Sequence, residues 1–413
     1  MARCLDALLP TMPPFLPPSF APGQVLTTCK LGLGQMLSWG SAFYLPAILA
    51  GAMGESLGIP PSRIFAAFSL ALLMMALTGP VAGRLIDRWG GRPLLMATNL
   101  WFALGLVLLS QVQSQGQLFA VWLLLGLAMG AGLYEAAFAT SVRLYGKAAR
   151  GSIVGITLFG GFASTLSWPL TTWLLHSWGW REACLVWAAV QLLVLLPLHA
   201  SLPRAPARAS TDAVMPSPGL AAAPAAPAAP LRGQWLSLVL LALTFAAIWF
   251  IGTSMMSHLP RLLMVSGATA TAAVAAAALV GPAQVASRIA DYAFLRRAHP
   301  LWSARIAVMA YPLAALALAV FGASGSWAYA LAFGLGNGIM TVVIGTLPLA
   351  MFGAQGYGQR QGLLMVPARM TQASAPFLFG LALEQWQLGA LWVLMLAASI
   401  AGTALWCLRA KQV

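Results

Sequence analysis

The chain has 413 residues, of which 60% are hydrophobic and 7% are charged, and its formal net charge at pH 7 is +14. A soluble domain is about 45–50% apolar. This composition and a mean hydropathy of +0.84 therefore exclude a single soluble domain and indicate a polytopic membrane protein. The positive charge is typical of cytoplasmic loops in such proteins, and because no basic stripe with interleaved aromatic residues is present, nucleic-acid binding is not predicted.

The N-terminal segment, residues 1–23, contains six prolines and neither a continuous apolar core nor a small-residue cleavage site. We therefore expect an uncleaved cytoplasmic tail rather than a signal peptide. Apolar segments long enough to span a bilayer as helices, about 20 residues each, follow this tail. The twelve predicted helices cover residues 24–52, 62–83, 94–112, 117–142, 151–175, 181–200, 234–259, 267–289, 301–322, 326–350, 360–383 and 388–408.

A segment rich in Ala, Pro and Ser, residues 203–233, divides the predicted helices into two sets of six. Because such a composition cannot bury a core, we predict a mobile cytoplasmic linker. The predicted units are a six-helix bundle at 24–202 and a second at 234–409. Residues 410–413 are predicted to form a cytoplasmic C-terminal tail.

Basic side chains are distributed unevenly between the two sides of this arrangement. With both termini cytoplasmic, the outer side holds Arg63, Arg181 and Arg261. The cytoplasmic side holds Arg3, Arg84, Arg88, Arg92, Arg143, Lys147, Arg150, Arg204, Arg208, Arg232, Arg288, Arg296, Arg297, Arg360, Arg409 and Lys411. The positive-inside rule therefore predicts cytoplasmic N- and C-termini. An excess of arginine over lysine, with abundant alanine, suggests a bacterial inner membrane.

A highly charged segment, residues 79–93, joins predicted helices 2 and 3. Charges at the bilayer centre would cost several kcal/mol each, so we expect a turn outside the hydrocarbon. Gly90 and Gly91 suit a tight turn, and Pro93 suits the first turn of the next helix. Asp87 lies among three arginines and is expected to have a fixed partner.

The residues of this segment resemble the signature between helices 2 and 3 of the major facilitator superfamily of secondary transporters. The matching residues are Gly83, Leu85, Asp87, Arg88, Gly90 and Arg92. Gly91 stands where the family usually has a basic residue. The resemblance implies an all-α membrane protein with twelve transmembrane helices in two pseudo-symmetric six-helix bundles. It also implies a conformational gate formed by this motif, with Asp87 against the N-terminus of helix 11, where the helix dipole favours an anion.

The two halves of the chain repeat several features in the same order. Gly79-Pro80 recurs as Gly281-Pro282, and Gly130-Ala131-Gly132 recurs as Gly336-Asn337-Gly338. Pro169 recurs as Pro376, Tyr44-Leu45-Pro46 recurs as His258-Leu259-Pro260, and the offsets between the halves lie between 202 and 214 residues. A duplicated six-helix unit with a substrate path near the bilayer midplane is what the family resemblance implies.

Two charged residues within predicted helices are the leading site candidates, because intramembrane charges are costly and usually functional. Glu135 in predicted helix 4 can exchange protons if it is desolvated, or it can be paired for structure alone. Arg369 in predicted helix 11 keeps its charge and needs an anion, either a substrate group or a carboxylate. An ion pair between Glu135 and Arg369 is one possibility. Lys30 and Arg305 lie near helix starts, where they can reach the interface.

Polar and aromatic residues on helices 1, 4, 7 and 10, which the resemblance implies line the cavity, complete the predicted substrate and proton pathway. They are Gln35, Trp39, Tyr44, Trp249, Asn337 and Thr341, with Tyr134 and His258 as further candidates. Packing between helices is the alternative role for each of them.

The sequence predicts a transporter rather than an enzyme. It has no P-loop, no catalytic cluster and no metal-binding spacing among its four isolated cysteines, so no cofactor or metal is expected. The favoured function is alternating-access transport of a small organic solute, weakly an organic anion such as a carboxylate, coupled to protons, by a monomer in the lipid bilayer. Efflux of drugs or other toxic compounds is the alternative, although Trp168 before Pro169 departs from the glycine-proline signature of drug antiporters. A membrane sensor or enzyme is a remote third reading.

Overall fold

The computed structural model describes residues 23–205 and 234–409. The predicted tails, apart from Gly23, and most of the predicted linker lie outside these residues. The described part is helical and contains no strand, so the all-α class is confirmed. Nine of its helical segments are long and apolar enough to cross a membrane.

Three of the nine segments are much longer than the roughly 20 residues that one crossing needs. They have 64, 53 and 51 residues. Each contains a short 3₁₀ turn, at Gly146–Ala148, Gly322–Gly325 and Gln387–Ala390 respectively. Division at these turns would give twelve crossings, and the count of twelve stays a prediction.

The first half contains ten α-helices. They are α1 (Gln24–Ser38), α2 (Leu45–Leu57), α3 (Pro61–Trp89), α4 (Gly91–Ser110), α5 (Gln115–Gly132), α6 (Tyr134–Tyr145), α7 (Ala149–Gly161), α8 (Ala163–Trp178), α9 (Trp180–Val190) and α10 (Leu196–Ala200). π-Helical segments at Trp39–Phe43 and Gln191–Leu195 join α1 to α2 and α9 to α10, and they are connected by a 2.8 Å hydrogen bond from Gln191 Nε2 to Ser41 Oγ.

The second half contains seven α-helices. They are α11 (Trp235–Val265), α12 (Ala270–Ala278), α13 (Val280–Leu295), α14 (Pro300–Phe321), α15 (Ser326–Phe352), α16 (Tyr357–Trp386) and α17 (Leu391–Cys407). Each half buries its own hydrophobic core. Leu349 and Tyr357 of the second half are nevertheless buried in the core of the first half. The two bundles are therefore packed together at the end where these residues lie.

That end of the molecule carries most of the described basic residues, and we call it the basic end. Its residues include Arg84, Arg88, Arg92, Arg143, Lys147, Arg150, Arg296, Arg297 and Arg360. The charged segment predicted as a turn is mostly helical here, because α3 continues to Trp89 and α4 begins at Gly91. Gly90 alone turns the chain, with φ of 82°, a left-handed conformation that suits glycine.

Gly91 is required for packing rather than for the turn. A Cβ atom at this position would lie 1.7 Å from Oγ1 of the buried Thr140 in α6. The usual basic residue of the family motif would therefore clash with α6, which gives a physical reason for the departure at this position.

The two halves approach most closely where α3 crosses α16. Gly79 and Gly83 on α3 face Gly362 and Gly358 on α16, so each helix contributes a Gly-x-x-x-Gly pair. A Cβ at Gly83 would lie 2.0 Å from the Gly358 carbonyl oxygen, and a Cβ at Gly362 would lie 2.6 Å from the Gly79 carbonyl oxygen. Small residues with this spacing allow helix backbones in a membrane to touch.

Candidate functional site

Glu135 and Arg369 form an ion pair between the two halves. Arg369 Nη2 lies 2.5 Å from Glu135 Oε1, and the side chains are 2% and 11% exposed. Glu135 lies in the first turn of α6, and Arg369 lies near the middle of α16. A narrow cavity between α3, α5 and α16 reaches both side chains. Glu135 and Arg369, the candidates from predicted helices 4 and 11, are thus each other's partners.

Other contacts fix Arg369 in place. Its Nη1 donates a 2.6 Å hydrogen bond to Gln372 Oε1, and its guanidinium carbon lies 4.2 Å from the centre of the Trp249 ring. Three buried N–H groups of this cluster, Arg369 Nε, Gln372 Nε2 and Trp249 Nε1, have no acceptor among the described residues. Buried donors are almost always hydrogen-bonded, so the cluster has capacity to bind a further acceptor.

A break in the helix positions Glu135. Predicted helix 4 is divided at Leu133, whose backbone is extended, so that α5 ends at Gly132 and α6 begins at Tyr134. Gln35 Nε2 donates a 2.9 Å hydrogen bond to the Gly132 carbonyl oxygen, which the break leaves without its helical partner. Gln35 therefore stabilises the bend that aims Glu135 toward α16.

Arg288 is a buried arginine that the sequence analysis assigned to the cytoplasmic side, and that assignment is wrong. The residue is 3% exposed. Its Nη1 donates to the Thr157 carbonyl oxygen at 2.6 Å and its Nε to the Gly338 carbonyl oxygen at 3.3 Å. The error has a simple cause: predicted helix 8 ended at residue 289, which placed Arg288 at its cytoplasmic end, whereas α13 continues to Leu295, so Arg288 lies well before the end of the helix.

No carboxylate of the described residues lies within ion-pair distance of Arg288. Its Nη2 instead donates to Thr341 Oγ1 and Gln284 Oε1 at 3.3 and 3.4 Å. Thr341 is thus brought into contact with a charge that the sequence analysis missed. The sequence does contain a signal for the burial of Arg288, because Arg288 follows the apolar part of predicted helix 8 by only a few residues.

Aromatic side chains of the first half form a cluster near Arg288. The Trp39 ring centre lies 5.0 Å from that of Tyr134 and 6.2 Å from that of Tyr44. Tyr44 in turn contacts Trp168 edge-on at 6.2 Å. Tyr44 and Tyr134 both lie within electrostatic range of the Arg288 guanidinium. Trp39 and Tyr44 therefore lie near a buried charge from the opposite half.

The remaining predicted residues take part in hydrogen bonds that involve backbone carbonyl oxygens. Asn337 accepts a 2.7 Å hydrogen bond from the Thr341 hydroxyl through its carbonyl oxygen. His258 Nε2 lies 2.8 Å from the Pro376 carbonyl oxygen, away from the basic end. Lys30 donates to the Ser201 carbonyl oxygen, and Arg305 donates to the carbonyl oxygens of Leu405 and Leu408.

The motif residues lie where the two halves meet at the basic end. Asp87 Oδ1 accepts a 3.0 Å hydrogen bond from Gly358 N–H, and Oδ2 accepts a 2.9 Å bond from Gln359 N–H. These amides belong to the first turn of α16, where an anion is favoured. Arg88 lies over the Trp89 ring, and Arg92 lies in the first turn of α4. The function of Gly83, Asp87, Arg88, Gly90 and Arg92 as a gate stays a prediction.

A further carboxylate, which the sequence analysis did not identify, is buried inside a helix. Asp291 of α13 is 5% exposed, and its Oδ1 atom has no hydrogen-bond partner in the described part of the chain. The same underestimated helix boundary that hid Arg288 hid Asp291.

Comparison with known proteins identifies a family and several relatives of this chain. A family model described as Major Facilitator Superfamily matches residues 31–356. Monocarboxylate transporter 11 of Homo sapiens is 30% identical over 333 residues, which cover 72% of this chain and 64% of the relative. The uncharacterized MFS-type transporter YhjX of Escherichia coli is 27% identical over 180 residues, which cover 42% of this chain and 41% of the relative. The chain thus spans less than two-thirds of the length of these curated relatives.

Solved structures show the same fold over nearly the whole chain. The E. coli fucose:proton symporter FucP superposes with a TM-score of 0.71 at 14% identity, covering 95% of this chain and 100% of that chain. The human organic anion transporter MFSD10 superposes with a TM-score of 0.67 at 16% identity, covering 94% and 99%. At these identities the likeness establishes the fold, and the predicted fold family is confirmed.

Proposed function

The chain belongs to the major facilitator superfamily, and from this we propose that it is a secondary transporter that moves a small organic anion with protons by alternating access. It is a membrane transporter and not an enzyme. The anion, the proton and the mechanism are parts of the proposal.

The observation that carries the anion is the buried, uncompensated charge of Arg288. Arginine keeps its charge at every accessible pH, and a buried charge without a counter-ion is costly. Arg288 bridges the halves, because it donates from α13 to the Thr157 carbonyl oxygen in α7. A carboxylate bound here would supply the missing negative charge, and Trp39, Tyr44 and Tyr134 would contact its apolar body.

The proton is assigned to Glu135. Protonation of Glu135 would remove the negative charge from its ion pair with Arg369 and weaken the contact between α6 and α16. The three unsatisfied donors around Arg369 would then favour an anion at this second arginine. Proton binding and anion binding are thereby coupled through one contact between the halves.

The names of related proteins are consistent with this reading. Two of them are called monocarboxylate transporter 11, and one structural neighbour is called an organic anion transporter. Two other structural neighbours, XylE and FucP, are described as proton symporters of sugars. We further propose a monomer in a bacterial inner membrane, surrounded by lipid, with cytoplasmic termini, so that the basic end faces the cytoplasm.

A thermal-shift panel on the purified chain tests the anion assignment. Carboxylates, sugars, amino acids and cationic drugs are compared on wild type, Arg288→Gln and Arg305→Gln. Arg305 is a matched control, since it too donates to carbonyl oxygens but lies at the α14–α17 contact. A ligand at 100 times its Kd stabilises by about 2.7 kcal/mol. We expect a carboxylate to shift wild type and Arg305→Gln but not Arg288→Gln. A response to cationic or neutral drugs that survives Arg288→Gln would contradict the proposal and favour drug efflux.

A further inference from the structure

A second cavity, distinct from the Arg288 site, lies at the basic end between the two halves. Its volume is about 420 Å³. The first half contributes Lys147 and Arg150, and the second half contributes Arg297 and His299. This volume is within the ordinary range of small-molecule sites, about 300–1,000 Å³.

The cavity is strongly electropositive. Lys147, Arg150 and Arg297 carry three positive charges, and no carboxylate lines the cavity among the described residues. The N-termini of α7 and α14, which begin at Ala149 and Pro300, add partial positive charge, while the C-terminus of α15 opposes them. Asp291 of α13 is buried, does not line the cavity and interacts electrostatically with Arg150.

Arg150, one of the three cations that line the cavity, also acts electrostatically on His299. Burial, together with the charges of Arg150 and Arg305, lowers the pKa of His299 from its ordinary value. His299 Nδ1 accepts a 3.2 Å hydrogen bond from Leu301 N–H at the start of α14. This hydrogen bond holds the neutral ring of His299 in place as part of the cavity wall.

The two contacts between the halves at the basic end differ in their chemistry. Where α3 meets α16, Asp87 bridges them as an anion that accepts two backbone N–H groups. Where α7 meets α13, the bridging side chain is a cation, because Arg150 donates to the carbonyl oxygens of Leu295 and Ala298 at 3.1 and 2.9 Å. Cations from both halves face each other across the cavity on this side.

We propose that this cavity binds a phosphate-type anion, which bridges Lys147 and Arg150 of one half to Arg297 of the other. Arginine and lysine are the side chains that most often bind such groups. By joining the halves, the bound anion stabilises the state in which the basic end is closed. The ligand is either a soluble phosphate compound or the phosphate of a lipid headgroup.

Titration of the full-length chain in a neutral detergent tests the site. Thermal unfolding is followed with increasing sodium phosphate, and separately with sodium chloride at equal ionic strength. A second arm adds phosphatidylglycerol to the micelles. We expect a saturable rise in melting temperature with phosphate or phosphatidylglycerol and a smaller, unsaturable response to chloride. Arg297→Gln and Lys147→Gln should each weaken the apparent Kd at least tenfold.

Arg296→Gln is the matched control, because Arg296 is the neighbouring arginine and does not line the cavity. Its Kd should stay within twofold of wild type. A response to phosphatidylglycerol alone that is lost in Arg297→Gln supports the site with lipid as its ligand. Equal responses to phosphate and chloride without any lipid response, or a response unchanged in both lining variants, would overturn the proposal. None of these readouts depends on transport, so the result is independent of the Arg288 assignment.

Discussion

Arg369 shows how a single side chain connects the two halves. It lies 234 positions from Glu135 in sequence and 2.5 Å from it in space, and it also stacks on Trp249 of α11. Removal of one member of a buried ion pair leaves the other charge uncompensated, which typically costs about 3–5 kcal/mol. The pair is therefore expected to contribute both to stability and to the coupling of the halves.

A double-mutant cycle with Glu135→Gln and Arg369→Gln measures this coupling. We expect each single variant to lower the melting temperature and the double variant to lose less than the sum of the two. The coupling energy should be about 1–3 kcal/mol, the upper part of the usual range for residues in contact. Additive losses in thermal unfolding would show that the contact contributes nothing specific.

His299 gives a pH dependence with a defined sign. Its pKa is lowered in the folded chain, so between that pKa and 6.5 the unfolded chain binds more protons. The free energy of unfolding therefore falls as pH decreases through this window and is unaffected by this group above it. In His299→Asn, which keeps a side-chain cap for α14, we expect a smaller loss of melting temperature between pH 7 and pH 5. An unchanged loss would mean that other groups account for the acid sensitivity.

At the scale of single residues, the rarity of charge in predicted helices was enough to find Glu135 and Arg369. Their pairing could not be derived, because no sequence spacing relates α6 to α16. Arg288 and Asp291 were missed because hydropathy places the end of a helix at its first charges. When neighbouring helices satisfy such charges with carbonyl oxygens and hydroxyl groups, the helix can continue beyond them, and hydropathy alone does not predict this.

At the scale of elements, the backbones of α3 and α16 touch where the two helices cross. Four glycines bring the two backbones into contact beside the hydrogen bonds of Asp87. This crossing joins the two halves at the basic end, so a side chain inserted there should separate them.

Gly83→Val tests that expectation. The added atoms would meet the Gly358 carbonyl group, whose backbone cannot move without shifting α16. Spin labels at the exposed Trp89 and Gln355, in a cysteine-free background, report the separation of α3 from the start of α16. We expect a longer mean distance in Gly83→Val. Gly51→Val, where a Cβ meets nothing within 4 Å, should leave the distance unchanged, and a wild-type distance in Gly83→Val would refute the closed contact.

Hydropathy located the helices well, because apolar length is what a bilayer selects. The ends of α3, α11 and α13 were the main errors, since these helices extend about six residues beyond their predicted ends, at 83, 259 and 289, to Trp89, Val265 and Leu295. The break at Leu133 was not predicted because hydropathy does not change across it. That break depends on Gln35, a residue 97 positions distant.

At the scale of the whole molecule, two bundles with separate cores meet through a small number of polar contacts and one glycine crossing. The polar contacts from Asp87, Glu135 and Arg288 each join one half to the other. This arrangement suits a molecule whose halves move relative to each other, since few contacts must break. The motif and the internal repeat predicted the fold, and the motif also implied the contact of Asp87 with the start of α16, whereas the contact made by Arg288 required the structure.

Uptake into proteoliposomes under an imposed pH gradient tests the central claim, proton-linked transport of an organic anion through Arg288 and Glu135. Vesicles containing wild type, Arg288→Gln, Glu135→Gln or Arg305→Gln are loaded at one pH and diluted into another with a radiolabelled monocarboxylate selected by the thermal-shift panel. We expect accumulation that follows the proton gradient in wild type and Arg305→Gln. Arg288→Gln should lose transport at least tenfold, and Glu135→Gln should retain exchange of the anion but no longer accumulate it. Accumulation by Glu135→Gln equal to wild type, or uptake by wild type that ignores the pH gradient, would contradict the account.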